Sequence, residues 1–574
     1  MQTIQENNAS QNQLHPILVN LFEKRGFSIQ DIKDFMSWNL HELPNMTDLK
    51  DIEKTATRLV EAMKNNEKIG IYGDYDVDGT TSCALFYHFF KMHGVEIDLV
   101  QPSRFIEGYG IHPPAIDQAI SKDIKVLVTV DCGITNNEAA DYAKERGLDL
   151  IITDHHKDAR ETMPDAYAVV NPNRRDEPED SELSAMAGVT VAFCVCLQIK
   201  KQLEKEGPET PSLYPLLQFV AVGTICDLAP LNNTNVKLVR HGLRQLPKSK
   251  YPGLRVFLSP EERERTLVPS EKLSFGIGPM INSKGRLDHP ELALKLLISD
   301  DTDEAFQLYS HLDICNKERR GIQSEVFKEA KEQVIRSMKG DEPKVSIVYS
   351  EAWHEGVIGI VASKLVETFK VPALVFTQSE TPGILKASAR TAGELNLFDC
   401  LNKCSDLFTK FGGHKAAAGL SMPEENLGPL KEKLNHLLSE IPNIQRTQQE
   451  SYDLEIRPQD IDPKLVRELE KLEPFGMGNP KPTFKMTGFR LESYDVLKEL
   501  HVRWSFTDLE KKIKLKGISF NYIDKWGTPS PDELFRQQNE KGEELSAYFT
   551  LSINRFRGNE TIQLMVEKVS VGTL

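Results

Sequence analysis

Acids and histidines recur in this chain directly after short apolar runs. Asp74, Asp76 and Asp78 follow the run ending at Gly73, Asp131 follows the run ending at Val130, and Asp154, His155 and His156 follow the run ending at Thr153. Asp227 comes directly after an apolar, helix-like stretch ending at Cys226. Carboxylates so concentrated repel one another unless a cation neutralises them, and mixed Asp/His ligation without thiolates suits Mn²⁺ or Mg²⁺ better than structural zinc. A site with about six such ligands can hold two metals, whose chemistry is hydrolysis by an activated water attacking phosphorus in line. A single Asp after a strand is more often a helix cap or turn residue. The run Asp74–Gly79 resembles a calcium loop, but its twelfth position is Leu85, not Glu. Two adjacent histidines at a strand end are hard to explain as packing.

These residues need a scaffold that brings strand ends together. From Lys68 to about Pro172 β-rich runs alternate with helical stretches, the pattern of parallel β-α-β units with helices on both faces. In such doubly wound sheets ligands bind outside the carboxyl ends of the strands, where the acids fall. Helical patterns follow over Ser184–Thr224 and Pro290–Met338, and Ala305–Met338 reads as one or two long helices. A second α/β pattern begins after Pro343, and from Asp453 to Leu574 short alternating strands suggest a small barrel of OB-fold size. The chain, 574 residues long, exceeds one compact core. The expected organisation is an N-terminal extension (1–45), a catalytic α/β domain (46–270), a helical connector (271–340), a smaller α/β domain (341–440) and a C-terminal barrel (451–574).

The net charge of −15 argues against a protein that coats nucleic acid non-specifically, yet leaves room for a narrow basic channel. The eight cysteines include no Cys-x-x-Cys pair, so no zinc ribbon or redox dithiol is expected, and all are read as buried thiols. The first residues lack the pattern of a secretory signal, and the longest apolar run, Val189–Leu197, is too short to span a bilayer. A soluble, cytoplasmic protein without membrane contact is expected.

The ordered set Gly73-Asp74-Tyr75-Asp76-Val77-Asp78-Gly79, Val130-Asp131-Cys132-Gly133, Asp154-His155-His156 and the later Asp227 resembles the motifs of the DHH phosphoesterase superfamily. From about residue 45 onward the chain is similar to the bacterial single-strand-specific 5′→3′ DNA exonucleases of that superfamily. The resemblance implies that Asp74, Asp76, Asp78, Asp131, His155 and Asp227 surround two Mn²⁺ or Mg²⁺ ions, with Asp131 bridging. It places His156 against the scissile phosphate beside the catalytic Asp131 and His155, and gives Asp154 the task of orienting a histidine. It identifies the smaller α/β domain as DHH-associated and the barrel as an OB-fold.

Four further segments carry a cation or, in three of them, glycines that free backbone donors: Pro102–Gly110, Gly278–Leu287, Lys386–Thr391 and Gly412–Gly419. Arg binds phosphate bidentately and Gly lets backbone N–H groups approach it, although a lone arginine is more often part of a surface ion pair. By resemblance Arg104, Arg286, Ser388 and Arg390 form a pocket for the 5′-terminal phosphate, joined by Asn282, while His414 contacts substrate beside the metals. Where the related exonucleases read close to Asn-Ala-Ala-Gly-Arg, this chain has Asn282-Ser283-Lys284-Gly285-Arg286, with an added cation. In the connector, Asn316–Arg320 could face the cleft or be ordinary solvated helix charge.

Leu472–Pro482 is too rich in Gly and Pro for an element interior and resembles the signature leading into the OB-fold, a rigid loop positioning the barrel. In the barrel, cations interleave with aromatics, the make-up of a single-strand platform. Tyr109, Arg503, Trp504, Lys514 and Lys516 are the candidate strand track, although Trp504 and Tyr522 taken singly suit a core.

The expected function is a 5′→3′ exonuclease on single-stranded DNA that releases 5′-mononucleotides with two metals, in repair and recombination. The resemblance implies single-strand DNA-binding protein and a RecQ-type helicase as partners, and a monomer suffices. Two alternatives stand beside it: a DHH phosphodiesterase for short oligonucleotides or cyclic dinucleotides, which generally lacks the barrel, and a non-catalytic scaffold, which has no need of so many like charges.

Overall fold

Five apolar runs of the first α/β domain pair side by side as parallel strands. They are β1 (Lys68–Gly73), β2 (Ile97–Val100), β3 (Ile124–Val130), β4 (Asp149–Thr153) and β5 (Ala168–Val170), in the order β2-β1-β3-β4-β5. β1, β3 and β4 are buried along nearly their whole length, as a sheet covered on both faces requires. The acid-bearing ends of β1, β3 and β4 are therefore immediate neighbours. The computed structural model describes residues 14–102, 110–157, 162–207, 209–285, 291–338, 343–447, 452–510, 512–525, 527–556 and 559–572.

Helix α1 (Val77–Met92) starts where β1 ends, capped by Asp76, whose Oδ1 accepts from the N–H groups of Asp78 and Gly79 at 2.8 and 3.0 Å. α2 (Gly188–Glu206) and α3 (Leu217–Cys226) pack beside it. α3 is apolar all round and buried from Leu217 to Ile225, as a helix inside a core must be. α4 (Asn233–Gln245) follows, then α5 (Gly278–Gly285) and α6 (Thr302–Ser337). α6 is a single helix of 36 residues. No helix among the described residues is long and apolar enough to cross a membrane.

Two compact units result. One gathers the described residues of Phe27–Lys317 and Lys471–Lys481; the other, those of Met1–Gly26, Glu318–Glu470 and Pro482–Leu574. Arg25, within the expected extension, belongs to the second unit and pairs with Asp453 at 2.9 Å.

Among its described residues the second unit contains two sheets. β6 (Ser346–Tyr349), β7 (Ala373–Gln378), β8 (Ile384–Arg390), β9 (Lys410–Gly413) and β10 (Ala417–Pro423) are ordered β6-β7-β8-β10-β9, parallel only between β6 and β7, with α7 (Glu355–Phe369) against β7 and β8. The C-terminal sheet has seven strands: β11 (Leu454–Ile456), β12 (Phe484–Met486), β13 (Phe489–Leu497), β14 (His501–Asp508), β15 (Lys514–Ser519), β16 (Leu545–Phe556) and β17 (Asn559–Val571). Their order is β11-β12-β16-β17-β15-β14-β13.

Two expectations are corrected here. Trp504 is not a stacking residue on a strand track: it is fully buried, and its Nε1 donates to Ser519 Oγ at 2.8 Å. It shares the inward parity of β14 with Val502 and Phe506, whereas Arg503 points outward, as the period of two dictates. Tyr522 is likewise buried. Nor are all eight cysteines buried: all are free thiols, but Cys226 and Cys315 are half-buried.

Candidate metal centre and phosphate-binding residues

At the carboxyl edge of the first sheet the sequence-predicted acids and histidines converge. Asp131 Oδ1 lies 3.1 Å from His155 Nε2, which is 3.6 Å from Asp227 Oδ2 and 3.8 Å from Asp78 Oδ2. Three ligand groups, Asp74 with Asp76 and Asp131, Asp78 with His155 and Asp227, and Asp131 with His155 and His156, each bring one donor atom per residue within 4.8 Å of the others. Asp131 and His155 are common to two groups each, so all six expected ligands belong to one centre.

Local structure explains each position. Asp131 has a left-handed backbone at φ 61°, an uncommon conformation that Asp tolerates better than most residues, held by its N–H donating to Thr153 O at 3.0 Å. Asp78 is fully buried at the start of α1, and both its oxygens are clasped by the first N–H groups of α2, Gly188 at 2.6 Å and Val189 at 2.9 Å. The positive end of a helix dipole thus faces a carboxylate. His156 Nδ1 stands 2.8 Å from Asp154 Oδ1, and Asp154 Oδ2 accepts from the Ile134 N–H at 2.9 Å. Asp154 therefore orients His156 and is not itself in a ligand group among the described residues.

The electrostatics of these side chains demand a counter-charge. Burial, then the charge of Asp76, pushes Asp74 well above the usual carboxylate range. Burial with Asp227 does the same to Asp78, and burial with Asp78 to Asp131. Asp227 is raised to about 7 by burial and Asp76. Burial and the neighbouring His156 depress His155 to about 4, leaving a neutral imidazole fit to ligate. His156 goes the other way: burial opposes its charge, but the hydrogen bond to Asp154 and the surrounding carboxylates raise it to about 9. Asp154 stays low because the His156 hydrogen bond and charge outweigh its burial. Among the described residues, the buried atoms Asp74 Oδ1 and His155 Nε2 have no hydrogen-bond partner. An all-oxygen and imidazole donor set with buried atoms left over fits hard divalent cations of the Mg²⁺ and Mn²⁺ kind.

Of the expected phosphate-binding residues, Arg104 and Arg286, and with them Tyr109 of the strand track, lie outside the described residues. Asn282 is half-buried on α5. Ser388 and Arg390 sit together on β8, with Arg390 Nη1 donating to Ser388 Oγ at 3.0 Å. Gly359 of α7 faces them so closely that a Cβ there would stand 3.1 Å from Ser388 Oγ and 3.2 Å from Arg390 Nη2. His414 is exposed in the turn between β9 and β10. On the barrel, Lys514 and Lys516 are exposed on the outer face of β15, Lys514 paired with Glu492 at 3.0 Å, and Arg503 is 3.9 Å from Asp495. In the connector, Asn316 and Arg319 are buried while Lys317 and Arg320 are exposed.

Several supporting residues were not read from the sequence. Asn171 Nδ2 donates to His156 O at 2.9 Å and Asn173 Nδ2 to His155 O at 2.6 Å, so an Asn-Pro-Asn turn after β5 holds both histidines by their backbone. Gln101, buried after β2, donates to Asp74 O at 3.0 Å. Their signal was position alone: polar amides just past strand ends, on the edge where ligands bind.

Family models match three stretches: the DHH family N-terminal domain over residues 68–224, the DHHA1 domain over 342–440 and the RecJ OB domain over 452–568. The single-stranded-DNA-specific exonuclease RecJ of Dickeya dadantii is 33% identical over 572 residues, covering 96% of this chain and 96% of that protein. The RecJ of Bacillus subtilis is 32% identical over 572 residues, covering 97% of this chain and 69% of its own length. Among solved structures, RecJ from Thermus thermophilus in complex with Mn²⁺ aligns with a TM-score of 0.79 at 27% identity, covering 98% of this chain and 76% of that one. The same protein in complex with Mg²⁺ aligns with a TM-score of 0.72 at 25% identity, covering 98% and 75%.

Proposed function

The chain belongs to the RecJ family of single-stranded-DNA-specific exonucleases, built on a DHH phosphoesterase core, and from that premise we propose how its residues divide the work. It degrades a single strand from the 5′ end and releases 5′-mononucleotides, with two divalent cations, in DNA repair and recombination. The observation that carries this reading is the cluster of buried acids, four of them raised toward neutrality, around a neutral His155 at one sheet edge.

Asp74, Asp76 and Asp131 would hold one ion, and Asp78, His155 and Asp227 the other, with Asp131 shared between them. Bound divalent cations supply a lowered pKa for water and charge stabilisation on the phosphate oxygens. His156, kept protonated by Asp154, offers a positive N–H to the phosphate undergoing attack, where negative charge builds. Asn171 and Asn173 keep the two histidines in place through their carbonyls. Ser388 and Arg390 take the 5′-terminal phosphate, together with Arg104, Asn282 and Arg286, and His414 touches the strand. Arg503, Lys514 and Lys516 remain as the barrel's share of the strand track, with Tyr109. Single-strand DNA-binding protein and a RecQ-type helicase are the partners that the family implies, and the chain acts as a monomer.

The test is digestion of a long 5′-phosphorylated single strand labelled at either end, with Mn²⁺ or with chelator, by the native chain and by Asp131→Asn. Asn is the substitution of choice because it tolerates the left-handed backbone of Asp131. Metal-dependent release of 5′-terminal mononucleotides by the native chain alone is expected. Release from the 3′ end, or cleavage restricted to di- and trinucleotides, overturns the proposal.

A further inference from the structure

Asp227 is the ligand with the least support of its own. It follows the last residue of α3, at the helix end whose dipole disfavours a carboxylate, whereas Asp78 is clasped by two backbone N–H groups. Among the described residues the Asp227 carboxylate accepts no hydrogen bond, and His155 Nε2 stands 3.6 Å from its Oδ2. The next residue, Leu228, has a left-handed backbone at φ 60° with its side chain exposed. Non-glycine residues persist in that conformation only where the surroundings hold them.

What holds this turn comes from far along the chain. Leu231 N–H donates at 2.7 Å to the carbonyl of Met477, in the segment Lys471–Lys481 that packs within the same unit as the metal centre. A Cβ added to Gly476 would stand 3.0 Å from Leu231 Cδ1, and one added to Gly478 3.2 Å from Leu231 N, so the two backbones touch. Gly478 also has φ 79°, which glycine alone adopts without strain. The segment is anchored at both ends of its turn. Buried Asn479 donates through Nδ2 to Leu472 O at 3.0 Å and Pro474 O at 2.7 Å. Glu473 Oε2 accepts from Ser270 Oγ at 2.7 Å, and the buried guanidinium of Arg240, on α4, donates to Glu473 O at 2.6 Å.

We propose that Lys471–Lys481 is a positioning element of the metal centre: by pinning Leu231 through the Met477 carbonyl and the Gly476 and Gly478 backbone, it fixes the Asp227 turn and sets the affinity for the cation that Asp227 holds. This rests on the reading of Asp227 as a metal ligand. The segment supplies no residue to the candidate ligand groups among the described residues, and acts through the backbone of residues 228–231.

The test is Mn²⁺ binding by the full chain, read from the paramagnetic resonance of the free ion, for the native protein, Asn479→Ala, Asp227→Asn and the double variant. Asp227→Asn should weaken binding. Asn479→Ala, which loosens the turn that presents the Met477 carbonyl, should weaken it about tenfold in the native background. In the Asp227→Asn background it should add nothing, because a contact working through Asp227 has nothing left to act on. Circular dichroism without metal reports whether the variants fold; if Asn479→Ala does not, Gly478→Ala, whose methyl presses on Leu231 N, replaces it. An equal loss in both backgrounds, or none in the native one, overturns the proposal. Native-like binding by Asp227→Asn overturns instead the assignment of Asp227, and the proposal falls with it.

Discussion

Gly188 measures how tightly the centre is packed. A Cβ at this position would stand 2.8 Å from Asp131 Cβ and 3.0 Å from Asp78 Oδ2, and Asp131 has little freedom to retreat because its strained backbone is tied to Thr153. Gly188→Ala should therefore fold, since Ala suits a helix start sterically, yet displace two ligands at once. Mn²⁺ affinity should fall by about 10- to 100-fold, measured by calorimetric titration; unchanged affinity would mean that Asp78 and Asp131 do not both hold metal. The candidate ligands were legible because Asp and His at three strand ends announce their chemistry by type. Gly188, Asn171 and Asn173 were not, because they act through backbone groups or on backbone carbonyls, and nothing in their own chemistry marks a metal. Trp504 was drawn toward the strand track by its cationic neighbours, although its parity with Val502 and Phe506 already placed it inside.

Among the elements, α1 carries both ends of this logic: ligands at its start and a buried titratable group in its body. His88 is nearly inaccessible, its Nε2 lies 2.9 Å from Leu297 O, and its ring stacks on Phe219 at 5.2 Å. Burial, against the help of that hydrogen bond and with Lys91 and Lys250 nearby, lowers its pKa to about 4. The unfolded imidazole titrates near ~6.5. The folded value is depressed, so the full stability is present above that pH and is lost as pH falls toward about 4, where the loss levels off. The shift corresponds to roughly 3 kcal/mol. Urea unfolding from pH 7 to 4 should show the native chain losing about that much more than His88→Gln; parallel curves would mean that His88 stays solvated. The strands around α1 were legible as apolar runs, and α6 as a long stretch with few breakers, read as one or two helices. α5 was not: Gly278, Pro279, Asn282, Ser283 and Gly285 are poor helix formers, and packing overrides their propensity. Its Gly278 fits closely against Cys226, where a Cβ would stand 2.6 Å from the thiol sulfur.

At the scale of the molecule, a chain of net charge −15 concentrates buried acids at one sheet edge, within a unit completed by a segment that follows it by well over a hundred residues. Linear order hid that completion: Leu472–Pro482 read as a rigid loop positioning the barrel, and through Lys481 it packs within the unit that holds the candidate metal centre. The sequence pattern records turn residues but not which surface a turn lands on. The cost of holding the acids together without metal falls on the folded state alone, because an unfolded chain spreads them apart. Cation binding should therefore appear as stability. At Mn²⁺ a hundredfold above its dissociation constant the gain is about 2.7 kcal/mol, which slows by about 100-fold the exchange of amides that exchange only when this unit opens. The amides of β1 and β3, buried between the ligand-bearing turns, are the ones to follow by hydrogen exchange with and without Mn²⁺. Asp131→Asn should erase the effect, since it removes a carboxylate common to two candidate ligand groups. If Mn²⁺ binds but leaves β1 and β3 exchange unchanged, the ion is held elsewhere and the acids at this edge are not its site.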